Sequence, residues 1–425
     1  MPAPALMRVV AVGAVAALSL TACATTSEQG GAGGDGTATD LIISTDLPLQ
    51  GANASQSEST NNLIQLYLDQ VGGKAGNYNI KLQTYDDSTA AKGAWDEAAC
   101  AKNATDHVAN TDEVAVMGTL NSGCAKIELP TLNSDNLLMV SHANTNPGLT
   151  KTWDTGEPEK YYPSGTRNFA RVNTTDDYQG AGAASFAAND LKVTKAFVLD
   201  DNQTYGLGVA KAFADNAAKN GIEVVGTAHW DAKQPNYAAL FQTVKASGAD
   251  IVYLGGIYDN NGGQLIKDKV AVLGANDGDV KLFAPDGFTG YPDMLKLDQS
   301  KGMYLTFAGL TQDQLTQSGG EGAKLLKAYQ DKYGKAPDGS YPLYGVAATQ
   351  VILAAIAKSD GTRKSVTDQV LGDTAGAGIS IPADQSVLGK AITIDPATGD
   401  TTSRDLTIEV VKDGKETFAK TQSVQ

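Results

Sequence analysis

At 425 residues, 42% of them hydrophobic, the chain is long enough for two or three domains with cores of their own, so a disordered chain is not the default reading. A formal net charge of -15 excludes a nucleic-acid binder, which needs Lys and Arg stripes, and is accounted for by solubility. His107, His142 and His229 are scattered with no spacing that makes a zinc ligand set, and no cofactor motif is present, so neither metal nor cofactor is expected.

Met7 and Arg8 precede an apolar run over 9–20, the length of a signal-peptide core and too short for a membrane span. It ends in Leu20-Thr21-Ala22-Cys23, which resembles a bacterial lipobox: small residues admit the signal peptidase, and the cysteine thiol takes a diacylglyceryl group before becoming the mature N-terminus. The alternative is an ordinary secretory signal with an incidental cysteine. Residues 1–22 are therefore expected to be a signal peptide, and 23–40 the lipidated Cys23 followed by a flexible linker, since that stretch is polar, small and aperiodic. Its GGAGGDG run is not a phosphate loop, because no strand precedes it and no helix pattern opens from it. Two acyl chains suffice for stable anchoring, which places the mature protein outside the cytoplasm, tethered to the cell membrane.

From residue 41 strand and helix patterns alternate. A strand at LIIST (41–45) leads through a polar loop to an amphipathic helix with Leu63, Ile64, Tyr67, Leu68 and Val71 on one face, ended by Gly72-Gly73. A strand over 78–85, a helix over about 94–109, and the strand VAVMG (114–118) follow; then come the loop TLNSGCAK, a short helix and the strand LLMV. Export puts Cys100, on the helical pattern, and Cys124, in the loop, in oxidising surroundings. A disulfide stapling that helix to that loop is favoured over two free buried thiols.

The stretch LMVSHANTNPGLT (138–150) changes within one residue from apolar strand to small hydrogen-bonding groups. It lies past the carboxyl end of a strand, where open parallel sheets bind ligands, and holds no nucleophile-base pair. After a surface excursion over 151–166 and an extended segment over 167–174, the rhythm restarts. A helix over 178–188, KAFVLDD, a helix over 207–219, IEVVG, a helix over 237–246, DIVYLGG, a helix over 264–273 and KLFAPDG form a second run of the same class. From about Met303 the strand MYLTFAG and helices near 321–333, 341–359 and Val366 read as a return to the first lobe. The end reads as a hairpin of LGKAITID and DLTIEVVKDGK around PATGD, able to close either lobe. The expected fold is α/β, with two doubly wound parallel-sheet lobes and a ligand cleft between them. Lobe 1 is drawn at 41–172 and 308–388, and lobe 2 at 173–307 and 389–425.

Four loops in order, HANTNPGLT, DDNQTYGLGVAKAF, VYLGG and PDG, resemble those of the leucine/isoleucine/valine-binding proteins, the substrate receptors of branched-chain amino-acid ABC importers. The resemblance runs from about residue 41 to the C-terminal hairpin. It implies lobes joined by three crossover segments that close over the ligand like a clamshell, a monomer that binds a small molecule such as an amino acid, and ABC permease subunits as partners. It implies further that Ser122 helps bind the α-carboxylate and that Ala143 and Thr145 reach the amino-acid head group. Tyr205 is implied to swing onto the ligand as a lid, and Asp286 to face the ammonium where the family usually has glutamate. Tyr258, or its neighbour Ile257, falls at a pocket aromatic. Each position also has a turn, cap or surface reading. The first loop, QGANASQS (50–57), has no aromatic where the family often uses one, and Asn53, Ser55 and Gln56 suggest a more polar or roomier pocket.

An enzyme is the first rival, but no Gly-x-Ser-x-Gly elbow, metal spacing or Walker loop is present. The pairs Asp86-Asp87, Asp176-Asp177 and Asp200-Asp201 read as turn and cap residues rather than acid/base dyads. A surface sensor on the same fold, or a receptor for an amide, a urea-like compound or an organic acid, remains as an alternative.

Overall fold

The computed structural model describes residues 39–372 and 376–423. Cys23, the expected signal peptide and all but the last two residues of the expected linker lie outside them.

The first strand, β1 (Thr39–Leu47), takes in those last two linker residues and runs to helix α1 (Ala54–Gln70). Leu63, Ile64 and Leu68 of α1 are buried as their spacing requires, while Val71, just past the helix end, is exposed. Next come β2 (Lys74–Ala75), β3 (Tyr78–Asp86), the small ladder of β4 (Ser88–Thr89) with β5 (Ala94–Trp95), and α2 (Glu97–Ala109). The expected helix start at 94 is corrected to 97. Asp96 is the N-cap, its carboxylate accepting the Ala98 and Ala99 N–H groups, so Ala94 and Trp95 are left to pair with Ser88 and Thr89. β6 (Glu113–Gly118), α3 (Ser122–Ser134), β7 (Leu138–Ser141) and β8 (Phe169–Arg171) complete the first run. Because α3 begins at Ser122, Cys124 sits on a helix and not in a loop. It pairs with Cys100 of α2, the Cα atoms 5.6 Å apart, so the bridge joins two helices.

The second run is α4 (Asp176–Asn189), β9 (Lys195–Asp200), α5 (Thr204–Lys219), β10 (Glu223–His229), α6 (Ala238–Ser247), β11 (Ile251–Gly255), α7 (Gly262–Leu273), β12 (Lys281–Ala284), the single turn α8 (Pro292–Leu295) and β13 (Tyr304–Phe307). The chain then forms α9 (Gln312–Ser318), α10 (Glu321–Tyr333), α11 (Tyr341–Lys358) and α12 (Arg363–Val370). The two-residue strands β14 (Ser380–Ile381) and β15 (Ile392–Thr393) follow, and β16 (Asp405–Lys412) and β17 (Lys415–Ser423) end the described chain.

Two sheets result. The first has the order β2-β3-β1-β6-β7-β8, parallel throughout except for β2; the second has the order β10-β9-β11-β12-β13-β16-β17, parallel from β10 to β13. The expected return to the first lobe at Met303 is corrected, because β13 pairs with β12 in the second sheet. The C-terminal hairpin is corrected too. β16 turns at Asp413-Gly414 into β17, and LGKAITID contributes only β15 and one bridge, Ile394 to Thr401. Ile392 and Ile394 pack in the core of the first sheet. The chain therefore passes between the sheets at 172–175, 308–311 and 402–404, the last of these later than the boundary at 388/389.

The apolar run of α11 is explained by burial on nearly every side: Leu343, Val346, Val351, Ile352 and Ile356 share one core with α1 and the first sheet. Among the described residues no single helix is long and apolar enough to cross a membrane.

Candidate functional site

Strand order fixes where a ligand can bind. In the first sheet β1 lies between β3 and β6, and in the second β9 lies between β10 and β11. At such switch points the loops leaving the carboxyl ends part to opposite faces and open a crevice. The two crevices face each other across a cleft lined by loops of both. One wall carries Asn53 and Gln56 from the start of α1, Leu120, Asn121 and Ser122 after β6, Ala143 after β7, and Tyr341 at the head of α11. The other carries Tyr205 from the first turn of α5, Ile257 after β11, and Asp286, Gly287, Thr289 and Tyr291 after β12.

Asp286 is the centre of the second wall. Its Oδ1 accepts from the Tyr205 hydroxyl (2.6 Å) and from Gln179 Nε2 (2.7 Å), and its Oδ2 accepts from the Tyr341 hydroxyl. Gln179 in turn donates to Asp176 Oδ1 (3.0 Å) and accepts from the Asp286 N–H (3.2 Å) and the Thr306 hydroxyl (2.7 Å). Every donor to Asp286 is neutral. Burial pushes the Asp286 carboxyl above the usual range, against the pull of those donors, and burial together with the Asp286 charge pushes Asp176 well above it. Asp286, buried and hydrogen-bonded only by neutral donors, gains most from a positive charge in the cleft, whereas Asp176 already feels the Arg171 guanidinium.

The opposite wall offers donors. Helix α3 starts there with no side-chain cap, since Asn121 at the N-cap makes no cap bond and its buried Oδ1 has no partner. An uncapped helix N-terminus favours an anion. Ser122, the first helical residue, presents its hydroxyl and accepts the Asn146 N–H at 3.3 Å.

The loop after β7 spends most of its polar groups on itself. Ser141 Oγ accepts the Ala143 (3.2 Å) and Asn144 (2.9 Å) N–H groups, and Asn144 Nδ2 donates to the Thr119 carbonyl at 2.8 Å. The buried Arg171 guanidinium reaches under the loop, with Nη1 donating to the Asn144 (2.9 Å) and Asn146 (2.8 Å) carbonyls while Nε pairs with Asp400 Oδ1 at 2.8 Å. His142 is fully buried edge-on to the Tyr341 ring, 5.8 Å between centroids, with neither ring nitrogen partnered among the described residues. Burial pushes its pKa down to about 3, so it stands neutral.

Ser122, Ala143, Tyr205 and Asp286 thus meet in one cleft, and Asn53 and Gln56 of the polar first loop are buried in its wall. Ser55 is not in the lining. Thr145 lies behind the wall, its carbonyl accepting the Asp176 N–H at 2.9 Å. Tyr258 is also outside the lining. Its N–H donates to the Gly287 carbonyl and its ring packs on Phe288 and Tyr291, so Ile257 takes the cleft position.

The acid pairs are mostly local organisers. Asp86 Oδ1 accepts the Leu49 and Ser88 N–H groups, and Asp201 holds the N–H groups of Gln203 and Ile257. Asp176 differs, because it joins the Gln179–Asp286 network. Tyr341, Tyr291, Gln179 and Asp176 were not legible as site residues. The available signal was a tyrosine pair, YPLY, opening an otherwise apolar helix, since a buried hydroxyl needs a partner.

A family model described as periplasmic binding protein matches residues 46–415. The chain belongs to this family. It is 26% identical to the Leu/Ile/Val-binding protein BraC3 of Rhizobium johnstonii over 322 residues, covering 70% of this chain and 81% of that protein. It is also 26% identical to an amino acid binding protein of Pseudomonas aeruginosa, covering 74% and 78%. Among solved structures, the leucine-binding protein LivK of Thermotoga maritima superposes with a TM-score of 0.73 at 20% identity, covering 90% of this chain and 99% of that one. A benzoate complex of an ABC-transporter solute-binding protein from R. palustris gives 0.71 at 17% identity, covering 91% and 97%. The fold is that of type I periplasmic binding proteins, and the family is one of extracytoplasmic solute-binding proteins of ABC transporters, not enzymes.

Proposed function

We propose that the protein captures a free amino acid between its lobes and hands it to the permease of an ABC importer. The observation that carries this reading is Asp286, fully buried in the cleft with neutral donors only, opposite the uncapped start of α3 with Ser122. A zwitterion matches that polarity: ammonium toward Asp286, carboxylate toward Ser122 and the α3 N-terminus. Ala143 shapes the first wall, Thr145 supports it from behind, Tyr205 closes from the second lobe, and Ile257 rather than Tyr258 meets the ligand's apolar part. The lobes act as rigid bodies that close about the three crossings, giving the permease a closed surface to recognise. The receptor works as a monomer, held to the membrane by the acylated Cys23, with the Cys100–Cys124 disulfide formed on export.

A second reading rests on Tyr205, Tyr291 and Tyr341 in the walls, which suit a flat ring, and on relatives of this fold that hold benzoates. An aromatic acid, however, leaves Asp286 without a cation.

A thermal-shift screen of amino acids and benzoates, followed by calorimetry on the hits, separates the two readings. Stabilisation by amino acids and none by benzoates is expected; the reverse order would replace the first reading with the second. For the anchor, Cys23→Ala is expected to move the protein from the membrane fraction to the medium.

A further inference from the structure

The first sheet holds a second buried polar cluster, away from the cleft. Asp46 closes β1, His107 lies on α2, Glu113 opens β6 and Glu128 lies on α3, and all four are fully buried. Three of the four are pinned from behind. Asn103 Nδ2 donates to Asp46 Oδ1 at 3.0 Å. His107 Nδ1 donates to Glu113 Oε1 at 2.7 Å, and Glu113 is held in turn by the Ser44 hydroxyl and by Tyr85 OH at 3.4 Å. What remains points inward: His107 Nε2 faces Asp46 Oδ2 at 3.2 Å, and one donor atom from each of Asp46, His107 and Glu128 lies within 4.8 Å of the others.

A histidine whose Nδ1–H is fixed by a carboxylate, with Nε2 aimed at acidic oxygens, has the orientation that metal sites use. Two observations go beyond the clustering of acids. Glu128 Oε2 has no hydrogen-bond partner among the described residues although it is fully buried, and both oxygens of the nearby Asp87 are likewise buried and unpartnered. Buried carboxylates left this way are met either by a proton or by a cation. A proton on His107 Nε2 answers Asp46 alone, and Glu128 is then met by a proton shared with Asp46 or by a cation bridging the two.

We propose that Asp46, His107 and Glu128 bind one structural divalent cation between β1, α2 and α3. One imidazole nitrogen with carboxylate oxygens suits a borderline or hard ion such as Zn²⁺ or Mn²⁺ better than a soft one. Because the site is closed to solvent, the ion enters as the chain folds after export. It is independent of the ligand cleft.

The test uses the full chain, unfolded in urea with EDTA, its disulfide intact, and refolded with Zn²⁺, Mn²⁺, Ca²⁺ or no metal. Metal content after desalting and melting temperature are then measured. The proposal expects one retained equivalent of Zn²⁺ or Mn²⁺ and a Tm several degrees above the metal-free protein. Glu128→Gln and His107→Gln are expected to retain none. Glu128→Gln keeps the shape and removes a buried charge, so its metal-free Tm is expected to equal or exceed that of the wild type. Refolding with no retained ion and an unchanged Tm would overturn the proposal. So would an equivalent that survives Glu128→Gln, since the ion would then sit elsewhere.

Discussion

The hydroxyl of Tyr341, at the head of α11, donates to Asp286 on the loop after β12, so one hydrogen bond ties the two walls of the cleft together. Tyr341→Phe keeps the ring against Phe307 and removes the donor. A hydrogen bond to a charged group is worth about 1.5–3 kcal/mol. Calorimetry on this variant is therefore expected to give ligand affinity at least tenfold weaker, with the fold intact; a Kd within twofold of wild type would remove Tyr341 from the closing contacts.

His142 makes stability depend on pH. Its folded pKa is about 3 against an ordinary 6.5, so below pH 6.5 the unfolded chain takes up a proton that the folded chain refuses. Stability is complete above 6.5 and falls by up to about 1.4 kcal/mol per pH unit as pH drops toward 3. His142→Phe, which retains a buried ring, is expected to reduce the slope of unfolding free energy against pH by one proton between pH 4 and 6, measured by urea melts. An unchanged slope would mean that His142 is charged in the fold.

Arg171 supports the loop that carries Ala143, and its partner Asp400 is largely buried. Removing one member of a buried pair costs about 3–5 kcal/mol, here eased by Lys151, 3.7 Å from Asp400 Oδ2, and by the Thr150 hydroxyl. Arg171→Met is expected to lose that much in chemical unfolding, and Arg171→Met combined with Asp400→Leu to recover part of it. A double variant no more stable than the single one would assign the loss to the loop carbonyls instead.

The β16–β17 turn has Asp413 at φ 49° and Gly414 at φ 71°, the two positive values of a tight hairpin turn. Gly414→Ala is expected to cost about 1 kcal/mol, read as a lower Tm with no effect on ligand binding. An unchanged Tm would show that this hairpin adds little to the second sheet.

The same hairpin marks where sequence reading ran out. KETFAKTQS is too polar to announce an edge strand, whereas LGKAITID alternates well, so the apolar pattern chose the wrong partner for DLTIEVVK. Parallel strands such as VAVMG and KAFVLDD were legible because both faces are covered and their central residues are apolar. Ser122, Ala143, Tyr205 and Asp286 came from the resemblance of their loops to those of the leucine/isoleucine/valine-binding proteins, and the strand order explains why those loops meet at the cleft. Tyr341 was not found, because its helix returns from the far end of the chain and its spacing reads only as core. His107 was set aside for want of a second histidine nearby. Its partners come from Asp46, Glu113 and Glu128, which only folding brings together. The choice of Ile257 over Tyr258 turns on one residue of loop, below what a pattern resolves.

The claim that Asp286 waits for an ammonium is tested most directly by titrating the wild type and Asp286→Asn with an amino acid found in the screen and with the same acid lacking its amino group. The account predicts that the wild type prefers the amino acid at least 100-fold and that Asp286→Asn loses most of that preference. Equal binding of the two compounds by the wild type, or a preference that survives Asp286→Asn, would contradict it.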